Sequence, residues 1–580
     1  MSLFADFARV LADISAASGR LEKADRLGTF LADTDDVDLA RAARYATGRV
    51  FPLADERTVN VGTALLTTAT HAATGVDKDV LRAALVRLGD AGDVAAEALG
   101  ERPASALTLG DIEAAFEAIA ATRGSGARTA AVTDLLGRLG TDEARFAVRL
   151  LAGDLRTGML AGGVELALSR LFEATVAEVQ RAHMLTGDIG ETAVLARHGR
   201  LAEAVMRPFH PVGFMLATAA EDAADVARQV EPPFLVEDKF DGIRAQAHVA
   251  FEAPAETAPG IEGTLDLHGE TVETPAGLVR VALFSRTLDA VTRSFPDLLG
   301  PLAALAPRAP GGLVLDGEIV PLLPDGRVAP FQALQPRLGR TRVTDAMLAH
   351  APVAFVAYDT LDVDGRTLID APLTERQAAL AALGLPEADT PDTAARVFRS
   401  VVREVAAASD LDAAFDAARA RGNEGLMIKK AASLYLPGRR GRDWLKLKKA
   451  LATLDVVVVS VEVGSGGRRH LLSDFTFAVR ASESDETLLT VGKAYSGLTD
   501  AELVELTAWF EAHTLQQFAH GKVRVVVPEI VVEVAFDRVQ ASPRHKSGFA
   551  MRFPRIVRLR PDKPVSEIDT LAAVAALADG

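Results

Sequence analysis

Glu237-Asp238-Lys239-Phe240-Asp241-Gly242-Ile243-Arg244 sets a single lysine among acids and follows it two residues later with Asp-Gly. Ahead of it, Pro232-Pro233-Phe234-Leu235-Val236 is an apolar, strand-forming run after a proline stop, so residues 234–239 read as a buried strand entering a site. Alternate side chains of a strand share a face, which puts Glu237, Lys239 and Asp241 together. Gly242 lets the backbone approach a neighbour closely, and Arg244 adds a second cation. An ordinary Lys–Asp ion pair would give the same tetrapeptide, so the motif takes its meaning from the rest of the chain.

Of 63 Lys and Arg residues only 12 are lysine, and none lies between Lys78 and Lys239. Arginine is the default cation, and a lysine therefore invites a reason. Eight of the 12 fall in segments singled out here: Lys239, Lys429, Lys430, Lys446, Lys448, Lys449, Lys546 and Lys563. An amine can lose its proton and attack an electrophile, whereas a guanidinium cannot.

A chain of 580 residues exceeds one hydrophobic core and suggests three or four domains. Its 49% apolar and 24% charged content is that of a globular protein. With no cysteine, disulfides and cysteine-ligated zinc are excluded. Met1-Ser2-Leu3-Phe4-Ala5-Asp6 lacks the basic start and apolar core of a signal peptide, and no apolar run reaches spanning length, so a cytoplasmic protein without membrane contact is expected. Net charge is -16, yet residues 429–449 and 538–563 each carry eight Lys or Arg against one acid, Asp443 and Asp562 respectively. Local basic stripes on an acidic body suit a phosphate polymer, although a solvated charged face is the commoner fate of one such run.

From Leu3 to about Met206, Ala, Leu, Asp, Glu and Arg dominate, with apolar residues three and four apart, as at Phe146 and Leu150 or Val164, Leu168 and Leu171. This predicts an all-α domain over 1–205. In it, Gly153-Asp154-Leu155-Arg156-Thr157-Gly158-Met159 ends a helix in glycines with an arginine exposed. Arg156 and the backbone at Gly158 could hold a phosphate, and a plain helix C-cap explains the same residues.

Pro208-Phe209-His210-Pro211-Val212-Gly213-Phe214-Met215-Leu216-Ala217 breaks the helical pattern and reads as a linker, and from there to Lys449 strands alternate with helices. Candidate sites recur at strand ends: Leu283-Phe284-Ser285-Arg286; Leu313 to Val320 with its Asp316-Gly317-Glu318 interruption; Phe355 to Asp359, ending in Tyr358 and an acid; Glu424 to Lys429; and Trp444-Leu445-Lys446-Leu447-Lys448, whose two lysines share a face. Taken one at a time, each is ordinary sheet.

In this order, KFDGIR, FSR, LDGE, AYD, EGLMIK and WLKLK resemble the six-motif core of the covalent nucleotidyltransferases. The helical region, PFHPVGFMLA before the lysine, and RFPRIVRLRPDK at Arg552 to Lys563 make the chain similar to ATP-dependent DNA ligases in particular. The resemblance spans nearly the whole chain. It implies a multidomain protein with an all-α DNA-binding domain (1–205), an α/β or α+β nucleotidyltransferase core (206–449) and a C-terminal β-barrel of the OB-fold type (450–580). The composition after Lys449 agrees: strand runs at Val456 to Val459, Phe475 to Arg480, Val523 to Val527 and Ile530 to Phe536 are interrupted by a helical stretch, Asp500 to Thr514.

The resemblance also implies roles. Lys239 would attack the α-phosphorus of ATP and hold AMP as a phosphoramidate, which requires it to shed its proton, a step favoured by burial and neighbouring cations. Glu237 would accept a hydrogen bond from the adenine amino group. Tyr358 would stack on the base where most relatives have phenylalanine. Arg244, Arg286, Arg440, Lys446 and Lys448 would surround ribose and phosphates, and Glu318 and Glu424 would contact ribose and Mg2+. Arg552, Arg555, Arg560, Asp562 and Lys563 would reach the ATP phosphates from the barrel, which must close and later swing to grip nicked double-stranded DNA. A monomer is expected.

One stretch departs from the pattern. Glu252-Ala253-Pro254-Ala255-Glu256-Thr257-Ala258-Pro259-Gly260 replaces a short hairpin and predicts a flexible excursion with no catalytic role. Among alternatives, an NAD-dependent ligase would carry a four-cysteine zinc site, and an RNA ligase or capping-type guanylyltransferase would lack ~200 helical residues ahead of the core. A non-enzymatic DNA-binding scaffold would need a broken site, whereas Lys239, Glu318, Glu424, Lys446 and Lys448 are all present.

Overall fold

The structure is a computed structural model that describes all residues except 325, 330, 341, 389–394, 449–451, 465–467, 519–520 and 579–580. The chain divides into two compact units, Met1–Lys448 and Lys449–Gly580. Lys449 and the boundary expected at 449/450 lie outside the described residues.

The first unit opens with twelve α-helices between Phe4 and Arg197. Their ends follow local chemistry: Asp77, Asp90, Thr108, Thr175 and Asp188 cap N-termini with side-chain oxygens, and Gly75, Gly89, Gly153 and Gly187 close C-termini in the left-handed conformation. Phe7, Tyr45, Phe116 and Phe146 lie at the centre of their shared core.

Among the described residues twelve strands follow: β1 Leu216–Ala220, β2 Phe234–Lys239, β3 Ile243–Phe251, β4 Glu270–Thr274, β5 Gly277–Ser285, β6 Leu313–Pro321, β7 Val353–Val363, β8 Arg366–Thr367, β9 Val397–Arg399, β10 Arg403–Val405, β11 Gly425–Lys429 and β12 Arg440–Lys448. They form two sheets, β1-β12-β11-β2-β10 and β4-β5-β3-β6-β7-β8 with β9 beside β7. All pairings are antiparallel except β1 with β12 and β7 with β9. One apolar core, including Val236, Ile428 and Leu445, backs the first sheet; another, including Val281, Leu315 and Phe355, backs the second.

The segment after β3 is not the free excursion its composition suggested. Ile261 and Leu265 are buried against Phe51 of the helical region. Pro259 O accepts from Arg44 Nη2 (3.0 Å), and Asp266 O from Glu56 N (2.6 Å). Glu256 pairs with Arg207 (2.8 Å) and His210 (3.0 Å). Gly260, at φ +70°, lies so close to the helices that a Cβ would come within 2.9 Å of Val37 O. Acidic, proline-rich composition marked the segment as poor in secondary structure, which it is. The few apolar side chains it does carry were enough to dock it.

The second unit contains β13 Ala452–Val463, β14 Leu472–Arg480, β15 Leu488–Ala494, β16 Thr514–Phe518, β17 Val523–Val526, β18 Val531–Phe536, β19 Arg538–Ala541, β20 Phe549–Arg552 and β21 Arg555–Leu559, with a helix at Asp500–Ala512. Strand β13 serves three partners, β14 with a register shift between Val458 and Ser460, β18 along residues 452–457 and β17 along 460–462. The main path runs β15-β14-β13-β17-β16, with β18 and β21 branching from β13. Among the described residues no closed ring of strands is found. Strand content was readable from apolar alternation, but closure depends on edge-to-edge register that no single strand encodes.

Candidate active site

Two registers build one pocket between the sheets. In the first sheet Lys239, Gly425 and Lys448 lie side by side, as do Glu237, Met427 and Lys446. Alternation along each strand then turns Glu237, Lys239, Lys446 and Lys448 to one face. Asp238 points the other way, bonded by Arg421 (2.7 Å) and Asn423 (2.8 Å). In the second sheet Arg244 of β3 pairs with Glu318 of β6. Gly242 is the close approach the sequence required: a Cβ there would sit 2.3 Å from Ile319 O, so the neighbour it admits is the strand carrying Glu318. Asp241 lies past the end of β2 and is not among the pocket's lining residues, so the three-residue alternation expected of this stretch stops at Lys239.

The pocket has a volume of about 580 Å³ and is lined by all ten core residues singled out in the sequence: Glu237, Lys239, Arg244, Arg286, Glu318, Tyr358, Glu424, Arg440, Lys446 and Lys448. Lys239 Nζ and Lys448 Nζ each stand 2.5 Å from Glu424 Oε2. Burial pushes the Glu424 carboxyl up, but the two ammonium groups outweigh it and hold it down at about 2. Glu318 lacks so close a partner. Burial pushes it up to about 8, with Lys239 and Arg244 opposing only in part. Lys446 is lowered by burial and by the cations Lys448, Lys239, Arg440 and Arg286. The pocket therefore concentrates positive charge, with the Glu424 carboxylate held between Lys239 and Lys448.

Several contributors were not assigned roles from sequence. Lys429 Nζ, buried, pairs with Glu237 Oε1 (2.7 Å) and lies 4.4 Å from the Trp444 ring centroid and 5.0 Å from that of Tyr358. Burial pushes the Glu237 carboxyl up, and Lys429 opposes it. Behind Tyr358, Asp359 and Arg376 form a fully buried two-pronged ion pair (2.8 and 2.9 Å). Asp316 holds Arg244 in the same way (3.1 and 2.7 Å). The signals were present as an acid in LDGE, an acid in AYD and the last lysine of EGLMIK. Partner choice across strands is not a local property, however.

The remaining candidates lie elsewhere. Arg156 is paired with Asp154 (2.8 Å) and Asp90 (3.1 Å) in the turn after a helix that Gly153 closes, with Gly158 also at positive φ. In the second unit Arg560 and Lys563 both engage Asp455 (2.8 and 2.7 Å), and Arg560 also holds Asp562 (2.9 Å). Arg552 packs over Phe553 (4.9 Å), and Arg555 is exposed on β21. Among the described residues no group of three or more Asp, Glu or His converges as a metal cage, and no helix is long and apolar enough to cross a membrane.

The fold is similar to that of a solved structure described as Pmar-Lig_PreS3, with a TM-score of 0.55 and 17% identity over 96% of this chain and 99% of that one. Family models match residues 3–169 (DNA ligase N terminus), 269–448 (ATP dependent DNA ligase domain) and 468–563 (ATP dependent DNA ligase C terminal region). A probable DNA ligase of Koribacter versatilis is 43% identical over 96% of this chain and 93% of its own length, and a DNA ligase of Archaeoglobus fulgidus is 33% identical over 99% and 98%. The chain belongs to the ATP-dependent DNA ligase family.

Proposed function

We propose that this protein seals nicks in duplex DNA in three transfers, with Lys239 as the nucleophile of the first. Its amine attacks the α-phosphorus of ATP, so a P–N bond forms as the bond to pyrophosphate breaks. An oxygen of the nick's 5′-phosphate then attacks the AMP phosphorus and releases the lysine. Finally the 3′-hydroxyl attacks the activated 5′-phosphate and AMP leaves. The observation that carries this reading is the confluence of eight residues from six separate motifs, together with Glu237 and Arg440, on one pocket around Lys239.

Glu237, buried in the pocket beside Lys429, would accept from an exocyclic amino group, and Tyr358 would offer a ring for stacking. Arg244, Arg286, Arg440, Lys446 and Lys448 supply fixed charge where negative charge gathers in transfer at phosphorus. Glu318 and Glu424 provide hard oxygen donors in the same cavity. That pair suits Mg2+, which keeps several waters and needs one or two carboxylates; bound there it would neutralise phosphate charge. We assign residues 1–205 to DNA binding, with Arg156 and Gly158 as phosphate contacts, 206–449 to nucleotidyl transfer and 450–580 to an OB-type domain whose Arg552, Arg555, Arg560, Asp562 and Lys563 engage ATP.

The test is incubation with α-labelled ATP, GTP or NAD and magnesium, followed by a denaturing gel. Label retained from ATP alone is expected. Retention from NAD, or none from any of the three, would refute the assignment.

A further inference from the structure

A closed ring of hydrogen bonds ties the chain leaving the helical region to the pocket. Met215 N donates to Tyr435 Oη (3.2 Å), and Tyr435 Oη donates to Asp316 Oδ2 (2.7 Å). Arg244 Nη2 donates to the same oxygen (2.7 Å), its Nε to Asp316 Oδ1 (3.1 Å) and its Nη1 back to Met215 O (2.6 Å). Asp316, Tyr435 and Met215 are all buried. Phe214, one residue earlier, lies beneath the guanidinium with its ring centroid 4.8 Å away, and Leu216 and Ala217, the next two, line the pocket.

A guanidinium has five N–H groups. Three are consumed by Asp316 and Met215, which leaves two, and their direction is fixed by the three that are bound. Tyr435 is the member of the ring that touches both ends. It holds the carboxylate that orients the arginine and the backbone N–H of the residue whose carbonyl caps it. It also packs in an apolar cluster with Leu185 and Met206 of the helical region and its exit, and edge-on against Trp444 (5.8 Å).

We propose that Tyr435 is a positioning residue for Arg244, aiming its two remaining N–H groups into the nucleotide pocket and locking the 214–217 wall in the same register. This rests on the reading of Arg244 as a nucleotide contact. Removing the hydroxyl leaves Met215 N without its acceptor and Asp316 with one donor fewer, so both the wall and the guanidinium gain freedom before ATP binds.

The experiment is the initial rate of self-adenylation against ATP concentration for the full chain, alongside urea unfolding. Tyr435→Phe should raise KM for ATP about tenfold, the scale of a hydrogen bond to a charged group, while kcat changes less than about threefold. In an Arg244→Lys background the same substitution should add less than about twofold, because the group it positions is gone. Asp316→Asn, which keeps volume and weakens the links to Tyr435 and to Arg244, should reproduce the KM shift and supplies the answer if the phenylalanine variant folds poorly. A lowered urea midpoint with unchanged KM, or equal KM increases in both backgrounds, would overturn the proposal while Arg244→Lys still raised KM. If Arg244→Lys itself left KM unchanged, the nucleotide role of Arg244 would fail and take the proposal with it.

Discussion

Lys239 Nζ and Glu424 Oε2 are 2.5 Å apart, and Glu424 shares that oxygen with Lys448 at the same distance. The register of β2, β11 and β12 imposes this, since Lys239 and Lys448 flank Gly425 on either side and Glu424 N donates to Lys239 O (2.7 Å). Lys239 is thus held by an anion, where the resemblance implied neighbouring cations. ATP must meet a lysine already oriented.

Glu318 makes stability depend on pH in a definite direction. Its carboxyl titrates at about 8 in the folded chain and at the ordinary 4.5 in the unfolded one. Between those values the folded state holds a proton that the unfolded state has lost, so this contribution is complete below pH 4.5 and fades as pH rises to 8. Glu318→Gln should abolish that part of the slope, a difference on the order of a few kcal/mol between pH 5 and 9 in paired urea titrations. Parallel curves for the two proteins would show that Glu318 is ionised at neutral pH.

Glu237→Ala should reduce the preference for ATP over GTP by about tenfold or more while slowing attack less than about threefold, since its proposed bond is to the base. It should also destabilise the fold by about 3–5 kcal/mol by stranding buried Lys429. An unchanged nucleotide preference would remove Glu237 from base recognition.

Arg560 and Lys563 are engaged by Asp455 in their own unit and must exchange it for phosphates if they act on ATP. Deleting residues from 455 onward should abolish self-adenylation, and Arg560→Ala with Lys563→Ala should slow it by about two orders of magnitude. Sealing of a nick already carrying AMP should fall far less, because no pyrophosphate departs in that step. Equal losses in both assays would point to DNA binding or folding, and a salt titration whose slope drops by roughly one per lost contact would identify the former.

The docked segment after β3 predicts a mechanical role. Replacing residues 254–266 with a short turn should expose the linker near residues 204–214 to protease at least about tenfold faster and leave self-adenylation within about twofold. Unchanged cleavage would mean that the linker cluster around Met206, Val212 and Met215 holds the helices alone.

What the sequence disclosed and withheld follows from the range of the forces involved. Strand 234–239 was legible to its last residue because a proline stop, an apolar run and a glycine are all local. Lys239, Arg286 and Lys448 were legible at strand ends, whereas Glu318 and Tyr358 lie inside β6 and β7, which run on past the ends that the sequence suggested. Lys429, Asp316 and Tyr435 gained their meaning only from partners 71 to 220 positions away in the chain, in bonds no periodicity announces. The docking of residues 252–268 was hidden for a related reason. Its acidic, proline-rich composition reports the absence of helix and strand, not the absence of a surface to bury Ile261 and Leu265.

The most direct measurement is the fate of labelled AMP on Lys239→Arg. Charge and volume are nearly kept while the nucleophile is lost, so the variant should fold and bind nicked DNA as the parent does. After incubation with α-labelled ATP and magnesium, denaturation and electrophoresis, the parent should carry the label and the variant none. Label on the variant would mean that another residue is the nucleophile and would contradict the account at its centre.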